Sequence, residues 1–309
     1  MTVLVTGGAG FIGSHSVELL LSEGRSVRVL DNFSSGQRQN LPTHPHLEIL
    51  EGDIRQFDTV KKAMEGVSHV LHLAAQVSVQ ASLDNPPVSC STNILGFVNV
   101  LQAARSWGVG RMVYASSAAV YGRPTHVPIS ETDECRPISP YGLEKQVNDQ
   151  YAALFREGFD LSLLGLRYFN VYGPRQDPRS PYAGVISKFL ARIEEHQPLL
   201  VFGDGKQTRD FIFVKDVARA NVAALKSAMT GVCHVATGNS LDLLRMIEIL
   251  SGCMKRHLKI VHQAPLVGDI PISSANVDRF QELLDPKDLT NLEQGLTLLI
   301  EDTIRVRPV

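Results

Sequence analysis

Hydrophobic positions along the first half of the chain come as short apolar runs separated by longer stretches with helical spacing. Residues 3–5 form the first run. A turn of small residues follows, and then residues 16–21, whose apolar positions share one helical face. Gly24 ends that helix and residues 27–30 form the next run. The alternation continues with runs at 47–50, 68–74 and 111–116 and helical patterns at 57–64 and 88–107. Apolar strands separated by whole helices predict a doubly wound parallel α/β sheet. After residues 161–167 the pattern changes. Gly173, Pro174, Pro178 and Pro181 punctuate a loop-rich stretch, a helix is expected over 185–196, and Val201-Phe202 precedes another turn. Residues 211–214, a helix over 216–227 and residues 232–236 read as further sheet-associated elements. The expected division is a larger unit of residues 1–167 plus 211–236 and a smaller discontinuous α/β lobe of residues 168–210 plus 237–309.

The turn after the first run is Thr6-Gly7-Gly8-Ala9-Gly10-Phe11-Ile12-Gly13. Between a buried strand and a helix, such a turn brings backbone N–H groups to the helix N-terminus with no side chains in the way, as a bound pyrophosphate requires. Gly7, Gly10, Phe11, Ile12 and Gly13 are therefore the expected cradle of a Rossmann dinucleotide fold. Asp31 closes the second strand at the distance suited to a carboxylate that accepts both hydroxyls of an adenosine ribose and repels a 2′-phosphate. NAD is thus expected over NADP.

Composition narrows the partners. The chain has 309 residues, a formal net charge of −2, 44% hydrophobic and 20% charged residues. That is an ordinary globular balance without the basic excess of a nucleic-acid binder, so a small-molecule partner is expected. Cys90, Cys135, Cys233 and Cys253 have no CxxC spacing and no His arranged for a metal, which points to reduced thiols, no metal site and a cytoplasmic protein. Met1 leads directly into the first strand, leaving no room for a signal peptide, and no apolar run approaches membrane-spanning length. His72, His234 and His262 read as packed or surface histidines. Asp204 and Asp210 read as turn caps or orienters of Arg209.

Candidate chemistry lies in Tyr141-Gly142-Leu143-Glu144-Lys145, where a phenol and an amine four residues apart share one helix face. A phenol ionises near ~10, so it serves as a base at neutral pH only if neighbouring positive charge lowers that value. Lys145, the cofactor's ring and the helix N-terminus marked by Pro140 are the expected sources. Upstream, Ser116-Ser117 ends the fifth strand, where a hydroxyl faces the crevice in which such sheets bind ligands.

In this order the motifs resemble the extended short-chain dehydrogenase/reductases, and within them the nucleotide-sugar epimerases. The resemblance covers nearly the whole chain. It rests on the glycine turn, Gly52-Asp53-Ile54-Arg55, His72-Leu73-Ala74-Ala75, Asn93, Ser117, Tyr141/Lys145, Arg167-Tyr168-Phe169-Asn170-Val171-Tyr172-Gly173-Pro174, and Gly203-Asp204-Gly205 with Arg209-Asp210-Phe211. The resemblance implies that Asp31 and Asn32 hold the adenosine ribose, Asp53 and Ile54 the adenine, and Leu73, Ala74, Ala75, Tyr141 and Lys145 the rest of NAD. It implies Ser117 and Tyr141 at the sugar hydroxyl, Asn170 and Arg209 at a nucleoside diphosphate, and Val201 and Phe202 near uracil. Tyr121 and Tyr168 are expected to pack near the site. The apolar face from Ile94 to Ala104 is either core or, as often in this family, part of a homodimer contact.

Two positions narrow the chemistry within the resemblance. Related 4,6-dehydratases carry an Asp-Glu pair where this chain has Ala118 and Ala119, so elimination is not expected. No dedicated carboxylate clamp for a decarboxylated sugar acid is evident. Reversible 4-epimerisation of a UDP-hexose remains. A serine, Ser273, stands where epimerases that reject N-acetyl sugars place a tyrosine, which leaves room for a 2-acetamido group. The runs 175–178 and 180–183 also resemble epimerases of UDP-N-acetylhexosamines, so UDP-N-acetylglucosamine is the favoured substrate. A UDP-glucose/UDP-galactose epimerase, a 4-ketoreductase and a non-enzymatic NAD-binding regulator remain open. One departure stands out: Leu266 occupies the place of an arginine that usually grips the diphosphate two residues before Gly268-Asp269.

Overall fold

The computed structural model describes residues 1–177, 184–265 and 270–305. Pro178, the 180–183 run, Leu266 and Gly268-Asp269 lie outside the described residues. Among the described residues, twelve strands form three sheets: β1 (Thr2–Thr6), β2 (Ser26–Asp31), β3 (Leu47–Glu51), β4 (His69–His72), β5 (Arg111–Ser117), β6 (Leu163–Tyr168), β7 (Asn170–Tyr172), β8 (Leu199–Phe202), β9 (Thr208–Phe213), β10 (Gly231–Val235), β11 (Ser240–Asp242) and β12 (Ile260–Gln263).

The large sheet has seven strands in the order β10-β6-β5-β4-β1-β2-β3, and every pair in it is parallel. This is the doubly wound arrangement that the alternating pattern predicts. Side chains alternate across the pleat. Val3 and Val5 face a core shared with the helices Phe11–Ser22 and Val214–Lys226, while Leu4 faces a second core with the helices Phe57–Ala63 and Gly96–Ser106. Strand order reverses between β1 and β4, so their C-terminal ends splay around a crevice, the place where such sheets bind ligands.

The smaller lobe is built on a three-stranded sheet, β11-β9-β7, and the β12-β8 pair. Phe211–Phe213 was expected to run with the larger unit, but these residues pair with β7 and belong to the small sheet. The lobe has its own apolar core, in which Phe189, Val201, Met246 and Leu296 are fully or almost fully buried. Phe280, by contrast, packs into the large-sheet core with Leu164 and Val235. The C-terminal helices Leu243–Cys253 and Leu292–Arg305 carry no motif and are not anticipated by the sequence reading.

The long helix expected over 88–107 is present but interrupted. It starts at Pro86, because the Asn85 side chain caps it by accepting from the Val88 N–H. It then passes through a π-helical turn over Ser91–Leu95 before resuming at Gly96. The apolar face from Phe97 to Ala104 is core: Phe97, Val100, Leu101 and Ala104 are fully buried. Among the described residues no helix is long and apolar enough to cross a membrane.

Candidate active site

Glycine at three positions lets backbone meet backbone at the crevice. Gly7 has φ +69°, and a Cβ there would lie 2.7 Å from the Ala74 nitrogen; a Cβ on Gly13 would lie 2.1 Å from the Gly7 carbonyl oxygen. Gly10 sits at the N-cap of the helix Phe11–Ser22, which has no side-chain cap and no acidic residue in its first turn. The dipole at that helix end therefore faces the crevice uncancelled, as an anion site requires. These residues fit a dinucleotide pyrophosphate.

Asp31 ends β2 as predicted and is buried. Its Oδ2 accepts from the Ala9 N–H at 2.9 Å and its Oδ1 from the Phe33 N–H at 2.8 Å, so the carboxylate also braces the glycine turn. Asn32 donates to Asp53 Oδ2 at 3.0 Å, and Arg55 makes a bidentate pair with the same carboxylate at 2.9 and 2.7 Å. That pairing with Arg55 holds the Asp53 carboxyl down at about 2. Asn99 clips the adjoining loop by donating to the Ile54 and Arg55 carbonyls. Across the crevice, Thr6 Oγ1 pairs with His72 Nδ1 at 2.8 Å and accepts from the Ala74 N–H at 3.3 Å, fixing the loop that carries Leu73, Ala74 and Ala75. Burial drives His72 down to about 3, so it is neutral and structural.

The helix Pro140–Phe159 begins as its sequence indicates: Ser139 caps it by accepting from the Gly142 N–H at 3.1 Å, and Pro140 opens the first turn. Gly142 has a second reason to be glycine. A Cβ there would lie 2.5 Å from the Ala119 carbonyl oxygen, so only glycine lets this helix press against the turn after β5. That contact brings Tyr141 to Ser117. Lys145 is buried, its Nζ 5.8 Å from the Tyr141 ring centroid and donating to the Ala115 carbonyl at 2.9 Å.

Burial dominates the electrostatics that the protein's own residues set. The Tyr141 phenol is pushed up by burial; the hydrogen bond with Ser117 pulls it back and the Glu144 charge raises it further. Lys145 is pulled down to about 8 by burial, against the charges of Asp149 and Glu144. At about 8 the lysine still keeps its proton at neutral pH, although desolvation makes that charged form less stable than in water.

Other assigned residues are placed as follows. Asn170 donates to the Asp210 carbonyl at 2.9 Å, and Arg209 Nη1 donates to the Thr208 and Ile270 carbonyls at 2.8 and 2.6 Å. Asp210 is buried and caps the turn after β10, accepting from Thr237 and Gly238; Asp204 accepts from the Lys206 N–H. Val201 is fully buried in the small-lobe core, so its side chain does not reach a base, whereas Phe202 is half-buried. Ser273 is half-buried, its N–H donating to the Thr208 carbonyl at 3.2 Å, one residue from Arg209. Tyr168 donates to Asn221 at 2.7 Å. Tyr121 does more than pack: it accepts from Arg167 at 2.5 Å and donates to His234 Nε2 at 2.6 Å. His234 Nδ1 in turn donates to the Asn276 carbonyl, and His262 Nδ1 to that of Gly203. All four cysteines are free, and among the described residues no His, Cys, Asp and Glu are grouped to hold a metal.

Sequence reasoning gave no role to Asn93, Glu144 or Asp149, all of which bear on the catalytic helix. Glu144 lies inside the Tyr141/Lys145 motif and was visible there. Asp149, which receives hydrogen bonds from Tyr114, Ser116 and Arg167, had no local signal because its partners come from β5 and β6.

Ser117, Tyr141 and Lys145 thus form one cluster, a hydroxyl, a phenol and an amine next to His72 and the loop that faces the glycine cradle. Residues 3–235 match the model of the NAD dependent epimerase/dehydratase family. The chain is 36% identical to UDP-glucose 4-epimerase of Mycolicibacterium smegmatis over 307 residues, covering 97% of this chain and 98% of the relative. Among solved structures it superposes with TM-score 0.95 on UDP-N-acetylglucosamine 4-epimerase from Methanobrevibacter ruminantium and 0.93 on UDP-glucose 4-epimerase from Thermotoga maritima, each 35% identical with 99% of both chains covered. The protein belongs to the NAD-dependent epimerase/dehydratase family, with NAD as its cofactor.

The position of Asp31 yields a test of cofactor choice. Asp31→Ala removes the acceptor for the ribose hydroxyls and the charge that repels a 2′-phosphate. NAD affinity is expected to fall about tenfold or more while preference over NADP disappears, read by calorimetric titration of both cofactors. A wild-type protein that binds the two equally would refute the assignment.

Proposed function

We propose that this protein catalyses reversible 4-epimerisation of a UDP-hexose with bound NAD, with UDP-N-acetylglucosamine and UDP-N-acetylgalactosamine as its substrate pair. The observation that carries the reading is the convergence of Ser117, Tyr141 and Lys145 beside the glycine cradle, with Ala118 and Ala119 in place of any second acid pair. When bound, the NAD held by the glycine cradle and Asp31 would supply reversible hydride acceptance at carbon 4 and a positive ring that favours ionisation of the phenol. Tyr141 removes the hydroxyl proton and later gives it back; Ser117 hydrogen-bonds the reacting oxygen. Lys145, held by Ala115, positions the cofactor ribose. The 4-keto sugar turns over between the two transfers, so no reductant is consumed. Alanine at 118 and 119 cannot move a proton, which restricts the chemistry to carbon 4.

The acetamido preference is supported by Ser273 and by the likeness to the UDP-N-acetylglucosamine 4-epimerase of M. ruminantium. Ser273 lies in the segment that bridges β9, through Thr208–Ile272, and the loop around Ile129, through Ile129–Ala275. Its N–H bond to the Thr208 carbonyl sets Ser273 one residue from Arg209 in that pairing, where a serine is the small side chain that the acetamido reading requires. A homodimer is supported by an apolar stripe on the paired helices: Val88, Leu95, Leu143, Tyr151 and Leu154 are all exposed. This is not the Ile94–Ala104 face, most of which is core.

Three outcomes are expected. Tyr141→Phe keeps fold and NAD content but loses about 10²-fold or more in kcat; near-full activity would refute the base. Ser273→Tyr reverses the substrate preference: the ratio of kcat/KM for the acetamido pair over the UDP-glucose/UDP-galactose pair, resolved by NMR, falls about ten- to a few hundred-fold. An unchanged ratio removes Ser273 as gatekeeper. Leu154→Glu, at a position 64% exposed, leaves the fold intact and shifts the mass seen by light scattering from dimer to monomer; an unshifted dimer places the interface elsewhere.

A further inference from the structure

The glutamate between Tyr141 and Lys145 is buried, only 4% exposed, on a helix whose other acidic residues have solvent or a cationic partner. Its Oε2 accepts two hydrogen bonds, from Ser89 Oγ at 2.8 Å and from Asn93 Nδ2 at 2.6 Å. Asn93 is itself buried and reads the backbone of Gln76 on both sides: Nδ2 donates to the Gln76 carbonyl at 2.8 Å and Oδ1 accepts from the Gln76 N–H at 2.8 Å. Gln76 directly follows Leu73-Ala74-Ala75, the loop expected to face the cofactor. The π-helical turn over Ser91–Leu95 carries Asn93 into this bridging position, and such turns recur where a side chain must be aimed. One continuous path therefore runs from the cofactor loop through Asn93 to the catalytic helix, and it ends on Glu144.

We propose that Glu144 is a positioning residue for the acid–base pair: a buried carboxylate that holds the turn bearing Tyr141 and Lys145 in register with the cofactor loop. The inference rests on the reading of Tyr141 as the base. Burying a carboxylate on neutral donors costs free energy that a glutamine or an alanine would not. What the charge adds is its effect on its neighbours. Tyr141 is faced by Ser117, Glu144 and Tyr168; Lys145 is faced by the Ala115 carbonyl, Asp149, Glu144 and neutral His72. The Glu144 charge raises both the phenol and the ammonium.

Two variants separate the tie from the charge. Glu144→Gln keeps an oxygen that can accept from Ser89 and Asn93 but removes the charge; Glu144→Ala removes both. With UDP-glucose and UDP-galactose as probes and NAD content measured on each holoenzyme, Glu144→Gln is expected to keep kcat within about threefold. Its kcat–pH profile moves to lower pH, because loss of a negative charge lowers both the phenol and the ammonium. Glu144→Ala is expected to lose about tenfold or more in kcat. If Glu144→Ala does not fold, the Glu144→Gln profile decides alone: displaced, it supports the role; superimposed on wild type, it overturns it. Wild-type kcat in folded Glu144→Ala also overturns it. Tyr141→Phe assayed alongside keeps the two readings apart: an active Tyr141→Phe refutes the base, whereas an inactive one beside wild-type-like Glu144 variants refutes the positioning role alone.

Discussion

The whole site depends on backbone approaching backbone where β1 and β4 part. Gly7 lies against Ala74, and Gly13 against Gly7, at separations that leave no room for a Cβ. A side chain at either point would wedge the glycine turn away from the loop after β4 and fill the space a pyrophosphate needs. Asp31 depends on the same contact, since it is anchored through the Ala9 N–H within the turn. So does Thr6, whose hydroxyl joins His72 to Ala74. The adenosine side and the reactive side of the crevice are set from one short segment.

A second layer of polar contacts carries that placement outward. Asp149, one turn beyond Lys145, pairs with buried Arg167 at 3.0 Å and receives the hydroxyls of Tyr114 and Ser116. Arg167 continues to Tyr121, Tyr121 to His234, and His234 to the Asn276 carbonyl. The helix that carries Tyr141 and Lys145 is thus joined to the segment that holds Ser273 through side chains whose donors and acceptors are matched. Replacing one partner of such a pair leaves the other buried and unpaired, which costs more than the pair contributes. A residue that looked in sequence like packing, Tyr121, turns out to be a link in this path.

The legible parts of the sequence were those whose physics is local. Strand–helix alternation, the glycine turn, the helix start at Pro140 and the carboxylate at the end of β2 each follow from a few consecutive residues, and the parallel sheet, the cradle and the Tyr141/Lys145 helix were read from them. The illegible parts depend on distant partners. Strand Thr208–Phe213 has the apolar pattern of a large-sheet strand, and nothing within it says that β7 and β11 are its neighbours. Val201 is apolar whether it faces a base or a core. The π turn shows no period of its own. The Tyr141 phenol was expected to be lowered by Lys145, the cofactor's ring and the helix N-terminus together, and local reasoning could not supply the burial that acts on both the phenol and the lysine.

The path of the chain between the sheets has a mechanical consequence. It leaves the large sheet after Tyr168, returns at Val214 with the helix that packs on β4 and β5, leaves again after Val235, comes back with Phe280 in the large core, and finishes with Leu296 and Leu299 in the small one. Several covalent crossings, spread across the boundary, brace the halves as several hinge pins would brace a door. Any displacement of one sheet against the other therefore has to be taken up at several chain crossings at once, after Tyr168, before Val214 and after Val235, and not at one joint.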